Sequence, residues 1–191
     1  MTERLHRRSI RLKGYDYAQD GAYFVTVCTH DRAHLFGDVV NGVMEPNAVG
    51  TVVQRCWDAI PEHMPMVVLD EFIVMPNHVH GIIMIADGPV PVVAGQGRMA
   101  GAGSVGAGNF PPLPTTVAPA GDGPPPDPPG KMPVMQKGSL GHIMQTFKAA
   151  VSRQVVKDGS VARGTPIWQR GYYEHIIRDG ASHDRIAQYI A

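Results

Sequence analysis

Phe72-Ile73-Val74-Met75-Pro76-Asn77-His78-Val79-His80-Gly81-Ile82-Ile83-Met84-Ile85 is the stretch on which the fold turns. It joins two apolar, β-branched runs, about Val67 to Met75 and His78 to Ile85. Pro76-Asn77 between them favours a tight reversal, so the second run is expected to pair antiparallel with the first and to begin at His78. In an extended strand side chains alternate faces, which places His78 and His80 on one side about 7 Å apart along the backbone. Two neutral imidazoles on a rigid face can share a divalent cation. A His-x-His pair alone is a weak metal signal, because single strand histidines are mostly ordinary surface or core residues, and a third ligand has to come from elsewhere.

Outward from this pair, Ala22 to Thr29 is rich in aromatic and β-branched residues and is expected to be a strand. Asn47 is a plausible cap for a helix whose apolar positions, Val49, Val52, Val53, Cys56, Trp57 and Ile60, recur at helical spacing up to Pro61. Ser139 can cap a second helix with Leu140, Ile143, Phe147, Val151 and Val155 on one face and Gly159 after its last turn. An extended stretch from Ile167 to Ile177 and a short helix from Ser182 to Ala191 complete the chain. The order strand, helix, strand, strand, helix, strand, helix predicts an α+β fold. Its antiparallel sheet carries packed helices, close to a ferredoxin-like arrangement.

Between the two halves, Gly88 to Gly138 has 23 glycines and prolines in 51 residues. Such a composition cannot build a packed core and is expected to form a flexible insertion. Residues 1–87 and 139–191 are therefore expected to make one domain, interrupted by 88–138. Two cysteines, Cys28 and Cys56, provide no disulfide framework and no Cys/His cluster. No apolar run reaches the roughly 20 residues of a membrane helix, and the basic start lacks a signal peptide's apolar stretch, so a cytoplasmic location is expected. Net charge is zero but segregated: Arg4, Arg7, Arg8, Arg11 and Lys13 oppose Glu3 alone at the start, ten acids oppose two arginines from Gly14 to Asp87, and eight basic residues oppose four acids from Lys137 onward. That pattern is compatible with an anionic polymer along one side, or with nothing more than solvated faces.

Three blocks resemble one family. Met75-Pro76-Asn77-His78-Val79-His80-Gly81-Ile82, the opening Arg7-Arg8-Ser9-Ile10-Arg11-Leu12 with Gly14-Tyr15-Asp16-Tyr17, and Ile167-Trp168-Gln169-Arg170-Gly171-Tyr172-Tyr173-Glu174-His175-Ile176-Ile177-Arg178 are similar to REP-associated tyrosine transposases, of the single-tyrosine HUH superfamily. The likeness covers nearly everything outside the insertion and keeps the motif order. It implies the HUH transposase fold and metal-dependent cleavage and strand transfer of single-stranded or hairpin DNA with repeats. His78 and His80 would hold Mg²⁺ or Mn²⁺, and Tyr189, on the last helix, would attack the phosphodiester to give a 5′-phosphotyrosine. Tyr172 and Tyr173 are the competing tyrosines, ranked lower because they sit in an expected strand and read as packing or DNA contacts.

The family's helix carries a polar residue, usually Asn, four places after the tyrosine, and this chain ends at Ala191 before that position. The expectations are a truncated product, a ligand from another group such as Asp70, Glu71, Glu174 or His175, or an impaired enzyme. The alternative function is accordingly a truncated DNA-hairpin-binding module without cleavage. Arg7, Arg8, Arg11, Lys148, Arg153, Arg170 and Arg178 are expected phosphate contacts, and Tyr15, Tyr17 and Trp168 are expected base-stacking residues. For each, a solvated charge or a core aromatic is an equally good reading. No membrane partner is expected, and a homodimer is left open.

Overall fold

The computed structural model describes residue 12, residues 14–88 and residues 136–191. Its elements run β1 (Gly21–Cys28), β2 (Gly37–Val40), β3 (Val43–Pro46), α1 (Ala48–Asp58), α2 (Ile60–His63), β4 (Val67–Met75), β5 (His78–Ile85), α3 (Leu140–Lys157), β6 (Tyr173–Ile177) and α4 (Gly180–Ile190). The main sheet has the order β4-β5-β1-β6, with every neighbouring pair antiparallel. With the β2–β3 hairpin set aside, this is the ferredoxin-like order, in which the third strand in sequence lies between the second and the first. The sheet draws its strands from both sides of the Gly/Pro-rich segment.

Helix α1 begins where Asn47 accepts hydrogen bonds at Oδ1 from the backbone N–H groups of Val49 and Gly50, at 2.9 and 3.0 Å. Ser139 does the same for α3, its hydroxyl accepting from His142 N. Both helices lie against one face of the sheet. Val25, Val27 and Val79 from that face meet Val53, Trp57, Ile143, Phe147 and Val151 in the main core. Burial of such a side chain contributes on the order of 1.5–3 kcal/mol. A second, smaller core on the opposite face joins Ala22, Ile82 and Ile177 to Ile190 of α4. The sheet is thus covered on both sides, by α1 and α3 on one and by α4 on part of the other.

Three details differ from the sequence expectation. The β2–β3 hairpin has no counterpart in it, although Asn41-Gly42, with φ of 52° and 81°, supplies the left-handed pair that a two-residue hairpin turn requires. The expected extended stretch from Ile167 is regular only at Tyr173–Ile177, apart from an isolated bridge between Trp168 and Thr29. Its cause is Lys148, whose ammonium donates to the carbonyls of Gln169 (2.7 Å) and Gly171 (3.0 Å) while Gly171 takes φ of 78°. Those carbonyls turn toward α3 instead of a neighbouring strand. The last helix starts at Gly180, not Ser182, because Asp179 caps it through Ser182 N at 2.7 Å.

Gly81 shows how tightly the site's strand is held from behind. Trp57 stacks on Phe72 with centroids 4.3 Å apart and planes 13° from parallel. A Cβ at residue 81 would stand 2.5 Å from Trp57 Cζ2 and 2.9 Å from Phe72 Cδ2. Trp57 is buried, so its ring in particular stands in the way. Gly81→Ala is expected to lower the unfolding free energy by about 1–3 kcal/mol, the usual cost of overpacking. Urea unfolding measures it, and an unchanged midpoint would show that the aromatic pair yields freely.

Candidate active site

Strand alternation places the two histidines where the sequence expects them. Val79 is fully buried in the main core. His78 and His80 therefore face the other way, toward α4. The ladder pairs His78 with Cys28 and Met75, and His80 with Thr26 and Ile73. Their Nε2 atoms lie 3.1 Å apart.

The neighbours of the imidazoles decide which nitrogens are free. Asn77 donates from Nδ2 to the carbonyl of Arg32 (3.3 Å), which turns its Oδ1 toward His78 Nδ1 at 2.7 Å. An amide oxygen only accepts, so His78 carries its proton on Nδ1 and presents a lone pair at Nε2. His80 Nδ1 meets the Thr26 hydroxyl at 2.9 Å. A hydroxyl can donate or accept, so Thr26 serves either tautomer of His80. In one, His80 Nε2–H donates to His78; in the other, both Nε2 atoms carry a lone pair. Ligands 2.0–2.1 Å from a shared cation at octahedral or tetrahedral angles have nitrogens about 2.9–3.4 Å apart, and the observed spacing fits this range. By spacing, the two nitrogens suit a shared divalent cation. Among the described residues no group of three His, Cys, Asp or Glu side chains is arranged for a metal.

Burial keeps both rings neutral. Desolvation, assisted by the Arg32 charge, lowers the pKa of His78, and desolvation with the neighbouring His78 takes His80 down to about 4. Neutral imidazole is the form that binds metal.

Helix α4 brings Tyr189 to the same place. Its ring stands edge-on to His80 with centroids 5.4 Å apart, and the residue is 70% exposed. Ile186, Ala187 and Ile190 hold the helix to the sheet, while its first turn is tied down by His183, whose Nε2 lies 2.6 Å from Asp70 Oδ2. Asp70 sits where the β4–β5 register shifts between Leu69 and Phe72. Sequence reasoning offered Asp70 as a spare ligand and missed its partner, which a bulge two strands away from the helix start gives no local sign of.

The other expected residues scatter. Arg7, Arg8 and Arg11 lie outside the described residues. Lys148 and Arg153 are on α3, behind the sheet, and the Lys148 ammonium is engaged with the loop carbonyls described above. Arg170 is exposed in the loop before β6, and Arg178 lines a cleft of ≈ 350 Å³ with Tyr17, His175 and Ser182. Trp168 packs between Phe36 and Phe147 and donates Nε1–H to Lys148 O, while Tyr15 and Tyr17 cluster with Tyr23. Glu174 falls on the opposite sheet face from the histidines, and His175 lies on their face beside Phe24.

A protein of Haemophilus influenzae, itself uncharacterized, is 38% identical over 188 residues, spanning 97% of this chain and 86% of its own length. The chain belongs to that protein's family. No protein-family model matches it. Among solved structures, a REP-associated tyrosine transposase bound to a REP hairpin aligns with 96% of this chain and 70% of its own, at a TM-score of 0.51 and 13% identity. This family member thus has the fold of that transposase, the antiparallel sheet with its helices included. No described helix is long and apolar enough to cross a membrane.

Two measurements check the site's construction. An unfolded histidine takes up a proton near pH 6.5, whereas folded His80 resists until about pH 4. The unfolded chain then binds more protons between those values, so stability is full above pH 6.5 and falls as pH drops toward 4. His80→Gln is expected to flatten that part of the pH profile of urea unfolding; an unaltered slope would show that His80 is not the responsible group. Asp70→Ala is expected to lower hydrogen-exchange protection across 180–190 by about 1 kcal/mol and to leave β1 and β5 unchanged. Equal protection in both proteins would remove the tether's role.

Proposed function

We propose that this protein cleaves and rejoins single-stranded or hairpin DNA, as a metal-dependent endonuclease and strand transferase acting through a 5′-phosphotyrosine. One observation carries the reading: Tyr189 stands edge-on to His80 on the sheet face where the two Nε2 atoms lie 3.1 Å apart. The transposase fold supports it, as does the REP hairpin to which the solved transposase is bound.

In this reading His78 and His80 hold Mg²⁺ or Mn²⁺. The cation supplies charge neutralisation at the non-bridging phosphate oxygens. Tyr189 Oη forms a bond to phosphorus as the bond from phosphorus to the 3′ oxygen breaks. The phenol proton leaves to solvent, the 3′ oxygen departs and gains a proton, and the 5′ end stays on the tyrosine. Attack by another strand's 3′-hydroxyl reverses these changes and releases Tyr189, so no nucleotide is consumed. Exposure of Tyr189 suits a nucleophile that must meet a polymer from outside. Asn77 keeps the His78 lone pair at Nε2 and the Thr26 hydroxyl holds the His80 ring in place, a role in which loss of the partner ordinarily weakens metal binding about 10- to 100-fold.

The test is incubation of the protein with 5′-unlabelled, 3′-labelled hairpin DNA and Mn²⁺, followed by denaturing electrophoresis. A covalent adduct is expected, with its loss in Tyr189→Phe and a rate slower by roughly 100-fold or more in His78→Ala. An adduct that survives Tyr189→Phe would overturn the nucleophile. DNA binding with no adduct under any metal would leave hairpin binding alone as the function.

A further inference from the structure

Beside α4 the histidine face is aromatic, with Phe24 partly buried against the small core under that helix and Tyr173 exposed beyond it. Phe24 stacks on His80, with centroids 5.4 Å apart and planes 25° from parallel. Tyr173, on the edge strand β6, stands edge-on to Phe24 at 6.4 Å. It is 50% exposed, although its ring has the apolar area to reward burial. Rings therefore run without interruption from the edge of the sheet, through Phe24 and His80, to Tyr189.

We infer that Phe24 and Tyr173 form a stacking platform for the unpaired base of the nucleotide beside the scissile phosphate. This rests on the proposed cleavage reading, which puts that phosphate between Tyr189 and the histidines. A nucleobase presents an apolar π-face to an aromatic side chain whatever its identity, and such stacking is a common means of holding single strands. Charge on this face suits the same occupant. The register places Phe24, Thr26, Cys28, Ile73, Met75, Tyr173 and His175 on the side of His78 and His80, and none is acidic. The one carboxylate of β6, Glu174, is turned to the other side of the sheet by strand alternation. Asp70 of β4 also reaches this side, but its carboxylate is engaged with His183 of α4, so an anionic backbone meets no unpaired strand carboxylate at the Phe24–Tyr173 end.

Tyr173 is not a rival nucleophile on this view but a positioning residue. With one base held on the platform, the neighbouring phosphate is restrained opposite Tyr189, and most of the freedom of an unpaired strand is removed before attack. The sequence places Tyr172 and Tyr173 together. The structure separates them: Tyr173 is on the histidine face, and Tyr172 packs against the main core.

The experiment uses full-length protein carrying Tyr189→Phe, with Mn²⁺ and a hairpin DNA whose single-stranded flank carries 2-aminopurine at one position at a time. Quenching is expected at one position, and it should vanish in the added Tyr173→Ala variant and persist in Tyr173→Phe. Tyr173→Ala is expected to weaken binding of the flanked hairpin about 5- to 150-fold. An abasic nucleotide at the quenched position should weaken the Tyr173-containing protein as much and the Tyr173→Ala protein little further. Phe24→Leu, which keeps bulk in the face, serves where Tyr173→Ala fails to fold. Quenching that ignores both substitutions, or no quenched position at all, overturns the platform even if the parent protein forms the covalent adduct. Failure of the adduct with Tyr173-dependent quenching retained overturns cleavage and supports the platform as a single-strand binding surface.

Discussion

Alternation along β5 is the constraint on which the rest depends. Val79 is buried under α1 and α3, and the residues on either side of it are thereby sent to the opposite face. A slip of one residue would carry both imidazoles into the apolar core and expose Val79. The site's geometry is consequently enforced by the packing of the core behind it. Gly81 completes the arrangement, since the stacked Trp57 and Phe72 occupy the space in which any other side chain at that position would stand.

Much of this is visible in the amino-acid order. Pro76-Asn77 between two β-branched runs announces the hairpin, Asn47 and Ser139 announce helix starts, and period-two alternation puts the histidines together. These signals are local, and local chemistry decides them. What escapes the sequence depends on partners distant along the chain. Lys148 delays the start of the regular part of one extended segment by taking carbonyls 21 and 23 residues away. Asp70 meets His183 across 113 residues, and Thr26 meets His80 across 54. Asn41-Gly42 is the exception, a local signal strong enough to announce β2–β3 on its own.

Around the histidines, burial and hydrogen bonding work in one direction. Desolvation keeps the rings neutral, Asn77 selects the tautomer of His78, and the Thr26 hydroxyl adapts to either tautomer of His80. A charged pair would repel at 3.1 Å; a neutral pair presents donors to whatever cation or proton lies between. Tyr189 stands on a helix held by a small core of its own, so the residue nearest the histidines belongs to a lighter element than the strand that bears them.

The direction of β5 has a consequence for how the chain tolerates growth. The strand starts at the histidines and ends at Ile85, seven residues farther on and so about 23 Å away. Gly88 and Lys137, near the two ends of the Gly/Pro-rich segment, line one and the same cleft at that far end, beside Met66 and Ile85. The segment therefore leaves and re-enters the fold at neighbouring points, remote from Tyr189. Closing a loop between adjacent anchors becomes costlier only with the logarithm of its length, roughly 0.6 kcal/mol for each doubling. The expected flexible insertion, its ends apart, lies outside the described residues, but a change in the length of any connection between these two points is expected to have little thermodynamic effect on the sheet and none on the spacing of the two imidazoles.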